Sequence, residues 1–284
     1  MGVSKEKIIP DQSLVKKAEE LMEEAEYGKR RLAGIPYKVA YVIAFAMSCF
    51  QLYTAFFGVL TATLQRSVHL SFALCLCFLF YPLSKKSQRK TIPFYDFILA
   101  AIGFGAGIYV TVFYEELVTR IGSPTDVDLL MGVLTVLLIL EATRRAVGLP
   151  LTIISGIFIL YGFIGPFLPD LIGHRGYGFR RVVDHLYLTM EGIFGIPLWV
   201  SSTFVFAFVL FGAIFERSGA GEYLLKIAMS LVGHTRGGPA KVSVVASAFF
   251  GTISGSGVAN TATIGTMTIP MMKRVGFSPE LAGG

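Results

Sequence analysis

Serine, glycine and asparagine are concentrated in a long uncharged stretch near the end of this 284-residue chain. Residues 251–257 read Gly-Thr-Ile-Ser-Gly-Ser-Gly, and Asn260, Thr261 and Thr263 follow closely. Their neutral oxygens resemble the ligands that hold alkali cations in channels. If two short helices meet here, the first helix directs free carbonyls at the junction and the second directs free N–H groups at it. The stretch could therefore hold a cation beside a carboxylate.

The alternative for these residues is a structural role. Serine and threonine hydroxyls often join helices inside a membrane without binding any ligand. The position of Ser254 and Ser256 favours a site, because they belong to the string Ser-Gly-Ser-Gly at the centre of the uncharged stretch.

The helices that would position this site must form a hairpin. Val242–Met272 is a run of 31 residues without a charge, and as one helix it would be about 46 Å long against a hydrocarbon core of about 30 Å. Basic residues flank both ends, with Arg236 and Lys241 before the run and Lys273 and Arg274 after it. The positive-inside rule places both ends in the cytoplasm. The sequence therefore predicts a re-entrant hairpin, a form of broken helix that lines transporter sites.

The composition identifies the fold class. The chain is 54% hydrophobic with a mean hydropathy of +0.65, which indicates an all-α polytopic membrane protein. We expect six transmembrane helices, then the re-entrant hairpin, with amphipathic surface helices besides. The six apolar segments are 39–60, 68–83, 97–114, 129–140, 151–168 and 193–215.

Basic residues support this topology. With the N-terminus in the cytoplasm, 20 of the 25 Lys and Arg residues fall in inside segments, which is the expected bias. The net charge of +6 is therefore sorted by membrane side, and we expect no nucleic-acid partner.

Three further patterns predict local structure. Residues 11–31 and 220–233 have the spacing of amphipathic helices; either could lie on the membrane surface, and the first could instead contact a partner or remain solvated. Gly103 and Gly107 form a small-residue face that suits close helix packing. Glu141 and Arg144 have the spacing of a helical ion pair.

No pattern in the sequence indicates catalysis. The four histidines are dispersed, no spacing matches a metal site, and no nucleophile stands beside a base. We therefore expect neither an enzyme nor a cofactor.

Several strings resemble the permeases of tripartite ATP-independent periplasmic (TRAP) transporters. The resemblance is to the fused form, in which a four-span small subunit precedes the large permease subunit. It would divide the chain into a cytoplasmic segment 1–38, a small-subunit-like domain 39–145 and the beginning of a permease domain 146–284, with the hairpin at about 239–274. The strings that carry it are 141–150, 192–197, 236–241, 247–260 and 268–276.

This resemblance implies a secondary transporter in the cytoplasmic (inner) membrane of a bacterium or archaeon. A periplasmic substrate-binding protein would deliver a small organic acid, and a Na⁺ gradient, or an H⁺ gradient, would drive uptake. Carried over to this sequence, the Na⁺ ligands would come from Ser254, Gly255, Ser256 and Asn260, and the residues near the substrate would be Gly257, Thr261 and Thr263.

The family pattern continues with a second hairpin beyond the point that matches Gly284. We therefore expect this chain to be incomplete and inactive in transport by itself. The other hypothesis is a non-transporting membrane scaffold whose amphipathic helices dock a partner, and an intramembrane enzyme ranks last.

Overall fold

The structure, a computed structural model, describes Arg30, residues 32–83, 92–252 and 257–283. These residues form helices and connecting turns, and no strand occurs among them. Backbone contacts separate the chain into two compact units, Gly28–Ala207 and a second that includes Phe208–Gly284. The all-α fold class is confirmed. In chain order the first unit contains α1 (Ile35–Phe57), α2 (Ala62–Phe80), α3 (Phe94–Val112), α4 (Tyr114–Thr119), α5 (Asp126–Ala146), α6 (Leu149–Ile164), α7 (Phe179–Tyr187) and α8 (Ile196–Val200).

The remaining helices follow a π-helical turn at Ser201–Val205. They are α9 (Phe206–Arg217), α10 (Ala220–Val232), α11 (Gly238–Gly251), α12 (Gly257–Arg274) and α13 (Pro279–Gly283). The helix predicted over 220–233 is therefore present as α10, and its position at the membrane surface stays a prediction. The helix predicted over 11–31 lies outside the described residues, apart from Arg30.

All six predicted apolar segments are helical. Five helical stretches in the described residues are long and apolar enough to cross a membrane: Ile35–Phe57, Ala62–Phe80, Phe94–Val112, Leu149–Phe167 and Ile196–Phe215. The protein is thus a multi-pass membrane protein. The other predicted segment belongs to α5, whose 21 residues reach about 31 Å but carry charged residues in the first and last turns.

Those charges stabilise the ends of α5. Thr125 and Asp128 form a reciprocal capping box at its start. At the other end Glu141 accepts from Arg144 Nε at 2.7 Å, so the predicted ion pair is confirmed. Acidic groups lie in the first turn and basic groups in the last, as the helix dipole favours.

The predicted glycine face joins α2 and α3. A methyl group on Gly107 would lie 2.0 Å from Ser71 Oγ and 2.7 Å from the Ser67 carbonyl oxygen, and one on Gly103 would lie 3.0 Å from Leu74 Cβ. The two helices therefore approach too closely for a larger residue at Gly107. This confirms the role predicted for the two glycines.

A buried charge cluster closes one end of the same helices. Asp96, in the first turn of α3, accepts from Arg30 and from Arg145 Nη1, the latter at 2.6 Å. All three side chains have no exposed surface. Arg30 Nη1 also donates to the carbonyls of Phe78 and Leu79 at 3.1 and 3.2 Å, which are among the last carbonyls of α2 and have no partner within that helix.

Candidate ion and substrate site in a broken helical hairpin

The uncharged run is divided between two helices, as predicted. Gly237 adopts a left-handed conformation with φ 73° and precedes α11, which has 14 residues. At about 1.5 Å per residue α11 is about 21 Å long, too short to cross a hydrocarbon core of about 30 Å. The second half, α12, has 18 residues. The chain thus contains two shorter helices in a run that, as one unbroken helix, would be longer than the hydrocarbon core is thick.

The two halves pack against each other and against α10. Val242 near the start of α11 and Met271 near the end of α12 both belong to the core that the helices share. Gly221 and Ala228 have small side chains, which allow α10 to pack closely against α11 and α12. This core consists of Leu225, Ala228, Val242, Ala246, Phe250, Ile264 and Met271.

Asn260 joins the two halves by hydrogen bonds. Its Nδ2 donates to the Ser247 carbonyl at 3.1 Å, and its Oδ1 accepts from Ser247 Oγ at 3.3 Å. Gly251 leaves room for this contact, because a methyl group there would lie 3.2 Å from Asn260 Nδ2. The Asn260 carboxamide therefore fastens α12 to α11 near their junction. Its role as an ion ligand stays a prediction.

The other predicted site residues fall into two groups. Ser254, Gly255 and Ser256 lie outside the described residues. Gly257 begins α12 and is exposed, and Thr261, also exposed, donates to the Gly257 carbonyl at 2.9 Å. Thr263 is half-buried and faces α10, with its Cγ2 3.7 Å from a methyl group placed on Gly221. The first turn of α12 therefore presents backbone N–H groups beside Gly257 and Thr261, an arrangement suited to an anion.

A second polar cluster, which the sequence did not reveal, lies among the membrane helices of the first unit. Gln51 Nε2 lies 2.8 Å from His69 Nδ1, and His69 Nε2 lies 3.2 Å from Ser201 Oγ. Gln65 Nε2 donates to Gln51 Oε1 at 3.3 Å and to the Ser202 carbonyl at 3.1 Å. These contacts fasten the π-helical turn to α1 and α2. The available signal was the spacing of four between Gln65, just before an apolar segment, and His69, within it.

Arg66 makes a further buried contact that the sequence did not single out. Its Nη1 donates to the Phe194 carbonyl and contacts Met190 Sδ at 3.1 Å. The guanidinium thereby holds the turn that precedes α8. A lone arginine at the start of an apolar segment does not reveal its partner, which is 128 residues away.

Comparison with known proteins gives a family match that includes the hairpin. The family model described as "Tripartite ATP-independent periplasmic transporter, DctM component" matches residues 134–284. The C4-dicarboxylate TRAP transporter large permease protein DctM of Vibrio cholerae is 30% identical over 152 residues, which are 52% of this chain and 30% of that protein. No solved structure gives a significant match.

Two further relatives match shorter stretches. The 2,3-diketo-L-gulonate TRAP transporter large permease protein YiaN of Escherichia coli is 36% identical over 77 residues, 27% of this chain and 18% of that protein. The sialic acid TRAP transporter permease protein SiaT of Haemophilus influenzae is 32% identical over 77 residues, 27% of this chain and 12% of that protein. The chain thus spans less than a third of these curated relatives.

Proposed function

Since this chain belongs to the DctM component family of TRAP transporters, we propose that it forms part of a membrane permease for small organic acids. The observation that carries the proposal is the broken hairpin, because it lies wholly within the family match. The relative from Vibrio cholerae is named for C4-dicarboxylates, and those are the substrates we would test first.

The proposed coupling ion is Na⁺, with H⁺ as the alternative. Its ligands would be Ser254, Gly255 and Ser256 together with Asn260, whose Oδ1 accepts one hydrogen bond from Ser247 and retains capacity for another contact. The substrate carboxylate would lie near Gly257, Thr261 and Thr263, where the N–H groups of the first turn of α12 favour a negative charge.

The permease would work in the bacterial or archaeal inner membrane and receive its substrate from a periplasmic binding protein. The excess of basic residues in the predicted inside segments supports a cytoplasmic N-terminus. The small-subunit-like domain 39–145 would precede the permease domain 146–284, all of which lies within the family match over residues 134–284.

The test is uptake into proteoliposomes. The permease is expressed from its complete gene, reconstituted with its binding protein, and supplied with radiolabelled C4-dicarboxylate under an imposed Na⁺ gradient. Replacing both Ser254 and Ser256 by alanine should raise the half-saturating Na⁺ concentration at least tenfold. Ser230→Ala, at an exposed position of α10, is the matched control and should leave it unchanged.

The outcomes separate the alternatives. Uptake that responds to a proton gradient but not to Na⁺ would reject the sodium site and retain the permease. If neither gradient drives uptake of any organic acid, transport is rejected and the scaffold hypothesis replaces it.

A further inference from the structure

A cavity of about 500 Å³ lies in the first unit, between the membrane helix α6 and the short helix α7. Its volume is within the range of about 300–1,000 Å³ that small-molecule sites occupy. Phe158 and Gly162 form the wall on the α6 side, and Val182 and Leu186 form the wall on the α7 side. The interior between the two helices is therefore apolar and would accept a hydrocarbon chain.

The rim of the cavity carries charged groups. Arg181 and Glu191 both line it, and His185 lies beside Glu191 with a distance of 3.7 Å between Nδ1 and Oε2. The Arg181 guanidinium lies 5.1 Å from the centre of the Tyr177 ring, a cation–π contact that restrains it at the rim. One cation and one carboxylate thus stand at the mouth of an apolar cavity.

Arg181 differs from its neighbour in being free of a carboxylate. Arg180 Nη2 contacts Asp126 Oδ1 at 2.5 Å, whereas Arg181 makes no ion pair with any residue that the structure describes. Two adjacent arginines on one short helix therefore have different electrostatic partners. Arg181 is the one available to an external anion.

The depth of the cavity fits the membrane boundary. Gly162 lies two residues before the end of α6 at Ile164, and the next residues form an irregular connection to α7. Only 6% of the span Leu149–Phe167 is buried within the structure, so its surface faces lipid or another protein surface. The apolar walls would lie at acyl-chain depth and the charged rim at headgroup depth.

We propose that this cavity binds a phospholipid with a zwitterionic aminoalcohol headgroup, such as phosphatidylethanolamine. An acyl chain would lie between Phe158 and Leu186, the phosphate would contact Arg181, and the ammonium would contact Glu191. The charge pattern favours this headgroup over phosphatidylglycerol, because the neutral glycerol of that lipid offers Glu191 no cation to pair with. Lipid binding in this cavity would be separate from transport through the hairpin.

The test measures lipid binding to the detergent-purified chain by native mass spectrometry. Three probes are titrated: phosphatidylethanolamine, phosphatidylglycerol and diacylglycerol, all with the same acyl chains. We expect phosphatidylethanolamine to bind at least fivefold more tightly than either of the others. Arg181→Gln should remove that advantage over diacylglycerol, whereas Arg180→Gln, the matched control, should retain it.

Two further variants examine each part of the site separately. Glu191→Gln should abolish the preference for phosphatidylethanolamine over phosphatidylglycerol and leave the preference over diacylglycerol. Gly162→Leu should weaken binding of all three probes, because its side chain would enter the cavity beside Val182, whose Cγ2 lies 3.8 Å from a methyl group placed there. Equal binding of the three probes, or equal effects of the two arginine substitutions, would overturn the proposal and leave the cavity to a protein partner.

Discussion

Replacing Asp96 by asparagine should weaken the first unit severely. The substitution keeps the shape of the side chain but removes the only carboxylate shared by Arg30 and Arg145 within the described residues, and all three side chains are fully buried. The buried Arg30 guanidinium would then face a neutral amide, whereas Arg145 would keep its ion pair with Glu141 at 2.7 Å. Removing one partner from a buried ion pair costs about 3–5 kcal/mol.

Cysteine labelling can measure that loss in the folded protein. Cys75 is buried in the core of the first unit, to which Leu79 and Ala100 also belong, so a maleimide reaches it only when the unit opens. The labelled chain has Cys49 and Cys77 replaced. In it, Asp96→Asn should increase the labelling rate by a factor of roughly one hundred to a few thousand, since each 1.4 kcal/mol is about a factor of ten.

The matched control is Asp126→Asn. Asp126 also pairs with an arginine, Arg180, but the two side chains are 87% and 63% exposed. An exposed pair contributes about 0–1 kcal/mol, so labelling of Cys75 should rise less than about fivefold. If Asp96→Asn changes the rate no more than this control does, burial of the cluster contributes nothing and our reasoning is refuted.

Two further predictions concern helix packing. Gly107→Ala should destabilise the first unit by about 1–3 kcal/mol, because the added methyl group would overlap a neighbouring helix. Gly105→Ala should have no such effect, because a methyl group there would have no neighbouring atom within 4 Å. The rate of Cys75 labelling compares the two variants. Asn260→Ala should loosen the hairpin by about 1–3 kcal/mol, because the Ser247 groups lose their partners. Amide hydrogen exchange in α11 and α12 measures that change, and protection equal to that of the unchanged chain would contradict it.

The sequence by itself determined the elements and their approximate ends. Constraints that act within one segment account for three predicted features. These are the apolar segments longer than a soluble helix requires, the division of the uncharged run, and the glycines at 103 and 107. A helix must match the membrane thickness, and its backbone must be satisfied locally. Such rules need no knowledge of distant residues, and the structure agrees with them.

Only the tertiary structure decided which polar groups meet. Asp96 pairs with Arg30, which is 66 positions away in the sequence, and with Arg145, which is 49 positions away. Gln65 donates to a carbonyl that is 137 positions away. Asn260, predicted as an ion ligand, was found fastening two half-helices through Ser247. Hydrogen bonds act over about 3 Å, so their partners are fixed by how the helices pack, and a residue's type states only what it can bind.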